Sequence, residues 1–135
     1  IRMKLPPSLP PVTADAEALK QAMVNLLRNA LEADPGKPVS LSARPLRSGW
    51  VEIRVTDFGP GIPPEMHELV FESGFTTRRG GSGMGLSITR DVVQSHGGRI
   101  SLQSAEGGPT IFTVRLPAAP MGIARPPSAF RFAMH

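Results

Sequence analysis

Asn25 and Asn29 stand four residues apart in the run LKQAMVNLLRNALEA, a spacing that places both amides on one side of any helix formed there. Asparagine is a poor helix former because its side chain competes for backbone hydrogen bonds. A pair of them in mid-helix therefore needs a reason. Glu32 falls on the same side, bordering an apolar stripe of Leu19, Met23, Leu26, Ala30 and Ala33. One reading is a polar edge facing water. The other is a hard-oxygen ligand for Mg²⁺, which takes few protein ligands and fills the rest of its shell with water and phosphate oxygens.

Asp57 is the second chemical residue. Val51, Ile53 and Val55 alternate with Glu52, Arg54 and Thr56, and Asp57 continues the apolar set. Its carboxylate is expected to point inward, where an acid without a partner is costly. Gly59 and Gly61 follow, and their lack of a Cβ lets another group approach the backbone closely. An inward carboxylate among apolar walls suits an exocyclic amino group such as that of adenine. An Asp capping the turn at the strand end explains the same residues.

The third feature is Gly80-Gly81-Ser82-Gly83-Met84-Gly85-Leu86-Ser87. Glycine-rich backbone entering a helix can cradle phosphate, and it can equally be a flexible linker. It is no Walker A loop, since Leu86 occupies the position that requires Lys. Thr76, Thr77, Arg78 and Arg79 lie just upstream, with charge and hydroxyls suited to phosphate.

The elements that must position these groups follow from periodicity and punctuation. Residues 1–5 alternate as a short edge strand, and PPSLPP stops it. Asp15 caps a helix from about 16 to 34, ending near Pro35-Gly36. Strands over 38–46 and 50–57 join at Ser48-Gly49, and a loop over 58–64 leads to a short helix near 65–70. A second helix over 85–96 stops at Gly97-Gly98, and strands follow near 99–105 and 110–116. Residues 118–135 are Pro- and Ala-rich without periodicity and are expected to be weakly ordered or to pack on a neighbour. This order predicts a two-layer α/β sandwich, a mixed sheet with helices on one face, over 1–117.

Bulk properties narrow the function. A chain of 135 residues with 40% hydrophobic content can bury one core. Cysteine is absent, which excludes disulfides and thiolate metal sites and fits a reducing cytoplasm. No apolar run reaches the roughly 18 residues of a membrane span, and no signal peptide is expected, since no charged start leads into an apolar stretch. Ile1 in place of Met suggests a piece of a longer protein. The formal charge of +4 is scattered, with no Tyr and one Trp to stack bases, so no nucleic acid is expected as a partner.

Taken together, four segments in order resemble the N, G1, F and G2 boxes of the GHKL ATPases in their sensor histidine kinase version. They are Asn25-Leu-Leu-Arg-Asn29-Ala, Asp57-Phe-Gly59-Pro-Gly61-Ile, Phe71-Glu-Ser-Gly-Phe75-Thr-Thr and Gly81-Ser-Gly83-Met-Gly85-Leu. His96-Gly-Gly-Arg-Ile and Thr110-Ile-Phe112 with Leu116-Pro117 also look like that family's last helix and strands. The wording is most similar to the nitrogen-regulation and oxygen-sensing branch.

The resemblance implies a Bergerat fold that binds ATP and Mg²⁺ and phosphorylates a histidine on a separate dimerisation and phosphoacceptor domain, with a response regulator downstream. It implies Asn29 on Mg²⁺, Asn25 near the phosphates, Asp57 on the adenine amine, and Gly59, Gly61 and Ile62 along the adenine. Thr110 resembles the threonine that reaches adenine through water. Residues 72–84 would form a lid, with Phe75, Thr76, Thr77, Gly81, Ser82, Gly83, Met84, Gly85 and Leu86 around the nucleotide and Arg78 or Arg79 steadying the γ-phosphate.

The chain departs from the pattern twice. Glu32 stands where many relatives carry a phosphate-binding Lys, and Ser73-Gly74 replaces the Pro-Phe of the F box, which predicts a looser lid. No histidine here lies in a phosphoacceptor motif: His96 reads as structural, and His67 and His135 as surface residues. The piece is expected to be a cytoplasmic monomer without membrane contact. Rival readings are a hydrolytic ATPase, an anti-sigma-type serine kinase and a degenerate nucleotide-binding or docking module. Hydrolytic members place a Glu base at the position of Asn25, whose amide cannot take a proton at neutral pH.

Overall fold

The computed structural model describes residues 2–4, 12–13, 16–47, 49–72, 85–118 and 129–130. Among these, helices and strands run in the order β1 (Arg2–Lys4), β2 (Val12–Thr13), α1 (Ala16–Ala33), β3 (Val39–Leu46), β4 (Trp50–Asp57), α2 (Gly85–Ser95), β5 (Arg99–Ser104), β6 (Thr110–Pro117) and β7 (Ala129–Phe130). Five strands form one sheet in the order β1-β3-β4-β6-β5. β1 is parallel to β3 and the other neighbours are antiparallel, so the sheet is mixed. The two helices pack together on one face of it. This is the expected two-layer α/β sandwich. The expected cap at Asp15, the lid and most of the C-terminal tail lie outside the described residues.

Local chemistry explains the boundaries. α1 gives way to a turn in which Lys37 N–H donates to the Asp34 carbonyl and Gly36 N–H to Asp34 Oδ1, at 3.0 and 3.1 Å. α2 ends in a Schellman arrangement: Gly98 N–H reaches the Val93 carbonyl and Gly97 N–H that of Gln94. Gly97 carries the positive φ of 76° that this stop requires. The short helix expected near 65–70 is instead two 3-10 turns, Pro64–Met66 and Leu69–Phe71. A segment this short gains little from an α-helical nucleus, and each turn closes three residues on: Met66 N–H donates to the Pro63 carbonyl and Glu72 N–H to that of Leu69. Val12–Thr13 and Ala129–Phe130 pair as a separate two-stranded ribbon, which no periodicity announces.

Alternation sets the core. Leu19, Ala22, Met23, Leu26 and Ala30 of α1 are buried against Leu41, Val51, Ile53, Val55, Phe112, Val114 and Leu116 of the sheet. Each large apolar side chain so buried contributes about 1.5–3 kcal/mol. Val93 and Leu86 bring α2 onto the same core. Thr89 of α2 is buried too, and its hydroxyl bonds the Gly85 carbonyl at 2.7 Å and the Ala22 carbonyl of α1 at 3.4 Å. Phe71 meets Phe112 edge-to-face at 6.0 Å, with the Arg90 guanidinium 5.1 Å from the centre of the Phe71 ring. α2 and the second 3-10 turn are thereby held as neighbours.

The other face of the sheet carries an ion cluster. Glu52 is 1% exposed, and the Nε atoms of Arg44, Arg54 and Arg115 lie 3.0, 3.1 and 3.0 Å from its carboxylate oxygens. Burial opposes ionisation of Glu52. The hydrogen bonds from Arg115 and Arg44 and the nearby charge of Arg54 outweigh it and hold the carboxyl below its usual range.

Candidate functional site

The inward faces of the three adjacent strands end in polar residues at one level. Asp57 of β4 is the register partner of Thr110 of β6, and Thr110 is the partner of Ser104 of β5. Asp57 and Thr110 are 4% and 2% exposed. Asp57 Oδ1 accepts the Gly59 N–H at 3.0 Å, so the turn-capping reading of this acid is realised. The inward orientation is realised as well, and one residue carries both features. The Ser104 and Thr110 hydroxyls lie 2.8 Å apart, and Ser104 Oγ also accepts the Ile62 N–H at 2.8 Å.

That last bond ties the loop after β4 to the sheet. The β5–β6 turn completes the attachment: Gly107 N–H donates to the Pro60 carbonyl at 2.7 Å. Gly61 has φ 82°, and a Cβ there would overlap the Ala105 carbonyl. A Cβ on Gly59 would lie 3.1 Å from the Cβ of Ala33 at the end of α1. The close approach that each glycine permits is therefore, at its Cβ position, an approach of protein. His67, expected at the surface, is partly buried, and its Nε2 lies 2.9 Å from the Ile62 carbonyl. His96 is structural, with Nδ1 2.7 Å from the Val92 carbonyl.

α1 links this corner to the start of α2. Asn25, Asn29 and Ala33 succeed one another at i, i+4 spacing and so share a side of the helix. Ala33 lies against Gly59. At the other end, a Cβ on Gly85 would stand 3.9 Å from the Cβ of Asn25. The helix rises about 12 Å between Asn25 and Ala33. Asn25 and Asn29 are partly buried, and Gln21 Nε2 donates to Asn25 Oδ1 at 3.2 Å. Glu32 is exposed.

The structure thus brings together Asn25, Asn29, Asp57, Gly59, Gly61, Ile62, Gly85, Leu86 and Thr110 around one side of α1 and the adjoining strand ends. Phe75, Thr76, Thr77, Arg78, Arg79, Gly81, Ser82, Gly83 and Met84 lie outside the described residues. Among the described residues, no group of three His, Cys, Asp or Glu could form a metal cage, and no helix is long and apolar enough to cross a membrane.

Ser104 joins the site although no motif singles it out. Its signal lies in alternation: Ile100 and Leu102 lead to Ser104 on β5 as Val51, Ile53 and Val55 lead to Asp57 on β4, each inward series ending in a polar group. Alternation does not supply the level of Ser104 relative to Asp57, which depends on pairing between strands.

The sequence matches the family described as histidine kinase-, DNA gyrase B- and HSP90-like ATPase over residues 14–120. The chain belongs to that family. The chain is 36% identical over 122 residues to the sensor protein FixL of Bradyrhizobium diazoefficiens, a match covering 88% of this chain and 24% of FixL. It is 38% identical over 127 residues to the sensory histidine kinase/phosphatase NtrB of Rhodobacter capsulatus, covering 84% of this chain and 36% of NtrB. Among solved structures, it resembles the mycobacterial sensor histidine kinase MprB with a TM-score of 0.78 at 35% identity, covering 89% of this chain and 82% of that one. The catalytic domain of the histidine kinase ThkA matches with a TM-score of 0.76 at 30% identity, covering 86% and 76%. The chain is thus a catalytic domain of the histidine kinase kind, and its matches cover 24% of FixL and 36% of NtrB.

Proposed function

We propose that this domain binds ATP with Mg²⁺ along α1 and donates the γ-phosphoryl group to a histidine on a separate dimerisation and phosphoacceptor domain of a longer protein. The observation that carries the reading is the continuity of one helix side, from Asn25 beside Gly85 through Asn29 to Ala33 beside Gly59. Its length of about 12 Å is on the scale of one extended nucleoside triphosphate.

The adenine end lies at Asp57 and Thr110, with Gly59, Gly61 and Ile62 as its wall. The carboxylate of Asp57 accepts from the exocyclic amine. The phosphate end lies at Asn25, Asn29 and the start of α2 at Gly85 and Leu86, where the first amides of a helix favour anions. Asn29 would supply one hard oxygen to Mg²⁺, a cation that takes few protein ligands and would neutralise phosphate charge there. The family resemblance assigns Phe75, Thr76, Thr77, Gly81, Ser82, Gly83 and Met84 to the nucleotide, and the guanidinium of Arg78 or Arg79 has the charge to neutralise the transferred group.

In the transfer, an imidazole nitrogen attacks the γ-phosphorus. The P–N bond forms as the P–O bond to ADP breaks, and ADP leaves with the electron pair. The domain contributes positioning and charge neutralisation. Asn25 argues for transfer over hydrolysis, because it offers no base for water. A response regulator takes the phosphoryl group afterwards.

The test is nucleotide binding by calorimetry with and without Mg²⁺, for the parent chain, Asn29→Ala and Asp57→Ala. With Mg²⁺ present, both variants are expected to bind ATP more weakly. Equal binding by all three ends the assignment. Transfer is checked by supplying a helical phosphoacceptor domain with γ-labelled ATP, where an acid-labile, base-stable label on histidine is expected.

A further inference from the structure

A hydrogen-bonded chain runs from the loop to the strand ends. Ser104 Oγ accepts the Ile62 N–H at 2.8 Å and lies 2.8 Å from Thr110 Oγ1. Each hydroxyl has one proton and two lone pairs. A hydroxyl that accepts from an amide is polarised into a better donor. The favoured order therefore runs from Ile62 N–H to Ser104 O–H to Thr110 Oγ1. With a lone pair of Thr110 occupied by Ser104, its proton is directed elsewhere. Asp57, the register partner of Thr110 on the same inward face, supplies a separate acceptor when ionised, and the one Thr110 proton is left for a ligand.

We propose that Ser104 is a positioning residue that sets purine selectivity by holding the Thr110 hydroxyl as a donor. This inference rests on the ATP-binding reading given above. The pair Asp57 and Thr110 then presents one acceptor and one donor, directly or through water. Adenine offers the complement, an amino donor beside a ring-nitrogen acceptor. Guanine offers the reverse, a carbonyl acceptor beside an N–H donor. Without the Ser104 hydroxyl, Thr110 can rotate and accept, and the penalty against guanine falls. The three residues come from β4, β5 and β6, and the loop amide that orders them is anchored by the same bond.

Calorimetry with ATP and GTP on the parent, Ser104→Ala and Ser104→Thr tests this, with amide exchange of Ile62 followed by NMR. Thermal unfolding of each variant reports folding. The expected result for Ser104→Ala is a fall of about tenfold in the ratio of GTP to ATP Kd, with faster Ile62 exchange. Ser104→Thr restores both. An unchanged ratio in a folded Ser104→Ala variant overturns the proposal, as does a ratio that Ser104→Thr fails to restore. A parent chain that binds neither nucleotide overturns the ATP-binding reading and the selectivity claim together. A parent that prefers ATP while Ser104→Ala keeps that preference overturns the selectivity claim alone.

Discussion

Asp57 and Thr110 face each other as register partners across β4 and β6, two buried polar side chains at the end of an otherwise apolar face. The pairing turns an acid at a strand end into part of a site. It also separates the two duties of Asp57. Asp57→Asn keeps an amide oxygen that can accept the Gly59 N–H but removes the carboxylate. ATP Kd is expected to rise about 10- to 100-fold, matching the roughly 1.5–3 kcal/mol of a hydrogen bond to a charged group. Urea unfolding is expected to change by less than about 1 kcal/mol. Asp57→Ala loses the cap as well, and its stability is expected to fall by about 1–3 kcal/mol.

Asn29 is expected to carry the metal dependence of nucleotide binding. In Asn29→Ala, titration of ATP without Mg²⁺ should match the parent to within about twofold. The strengthening on adding Mg²⁺ should shrink by about tenfold, close to one hydrogen bond's worth of free energy to a charged centre. An undiminished Mg²⁺ effect assigns the ion elsewhere.

Gly61 and Gly49 both have positive φ, 82° and 76°, yet only Gly61 sits against another backbone segment. Gly49→Ala is expected to lose about 1 kcal/mol from the backbone conformation alone. Gly61→Ala must also displace the Ala105 carbonyl, and a loss greater by at least about 1 kcal/mol is expected. Chemical denaturation of the two variants makes the comparison.

Glu52 gives a pH-dependent contribution to stability. Burial pushes its carboxyl up, but Arg115, Arg44 and Arg54 more than offset that, so the folded group titrates below the unfolded one. Stability from this group is therefore present above the unfolded value and lost as pH falls through the lower, folded one. Glu52→Gln is expected to cost about 1–2 kcal/mol at neutral pH, a modest figure because the arginines are largely exposed and screened. The gap between parent and variant should close as pH drops through the acidic range. A gap that stays constant in pH-dependent urea unfolding refutes the contribution.

Much of this domain is written in local patterns. The stripe from Leu19 to Ala30 and the two-residue alternation from Val51 to Asp57 specify which side chains go inward, because helix and strand periods are properties of consecutive residues. Prolines and glycines mark where the elements end. The inward orientation of Asp57 and the shared side of Asn25 and Asn29 follow from those periods alone.

Three things required the tertiary structure. The register that levels Asp57, Thr110 and Ser104 is a relation among three strands distant in the chain, and no periodicity within one strand encodes it. The space at Gly59 and Gly61 is taken by Ala33 and Ala105, neighbours supplied by a helix end and a remote turn. Glu52 alternates outward, but arginines from β3, β4 and β6 converge on it only once the sheet has formed. Local sequence determines the facing of a side chain; which groups it meets depends on the pairing of strands far apart in the chain.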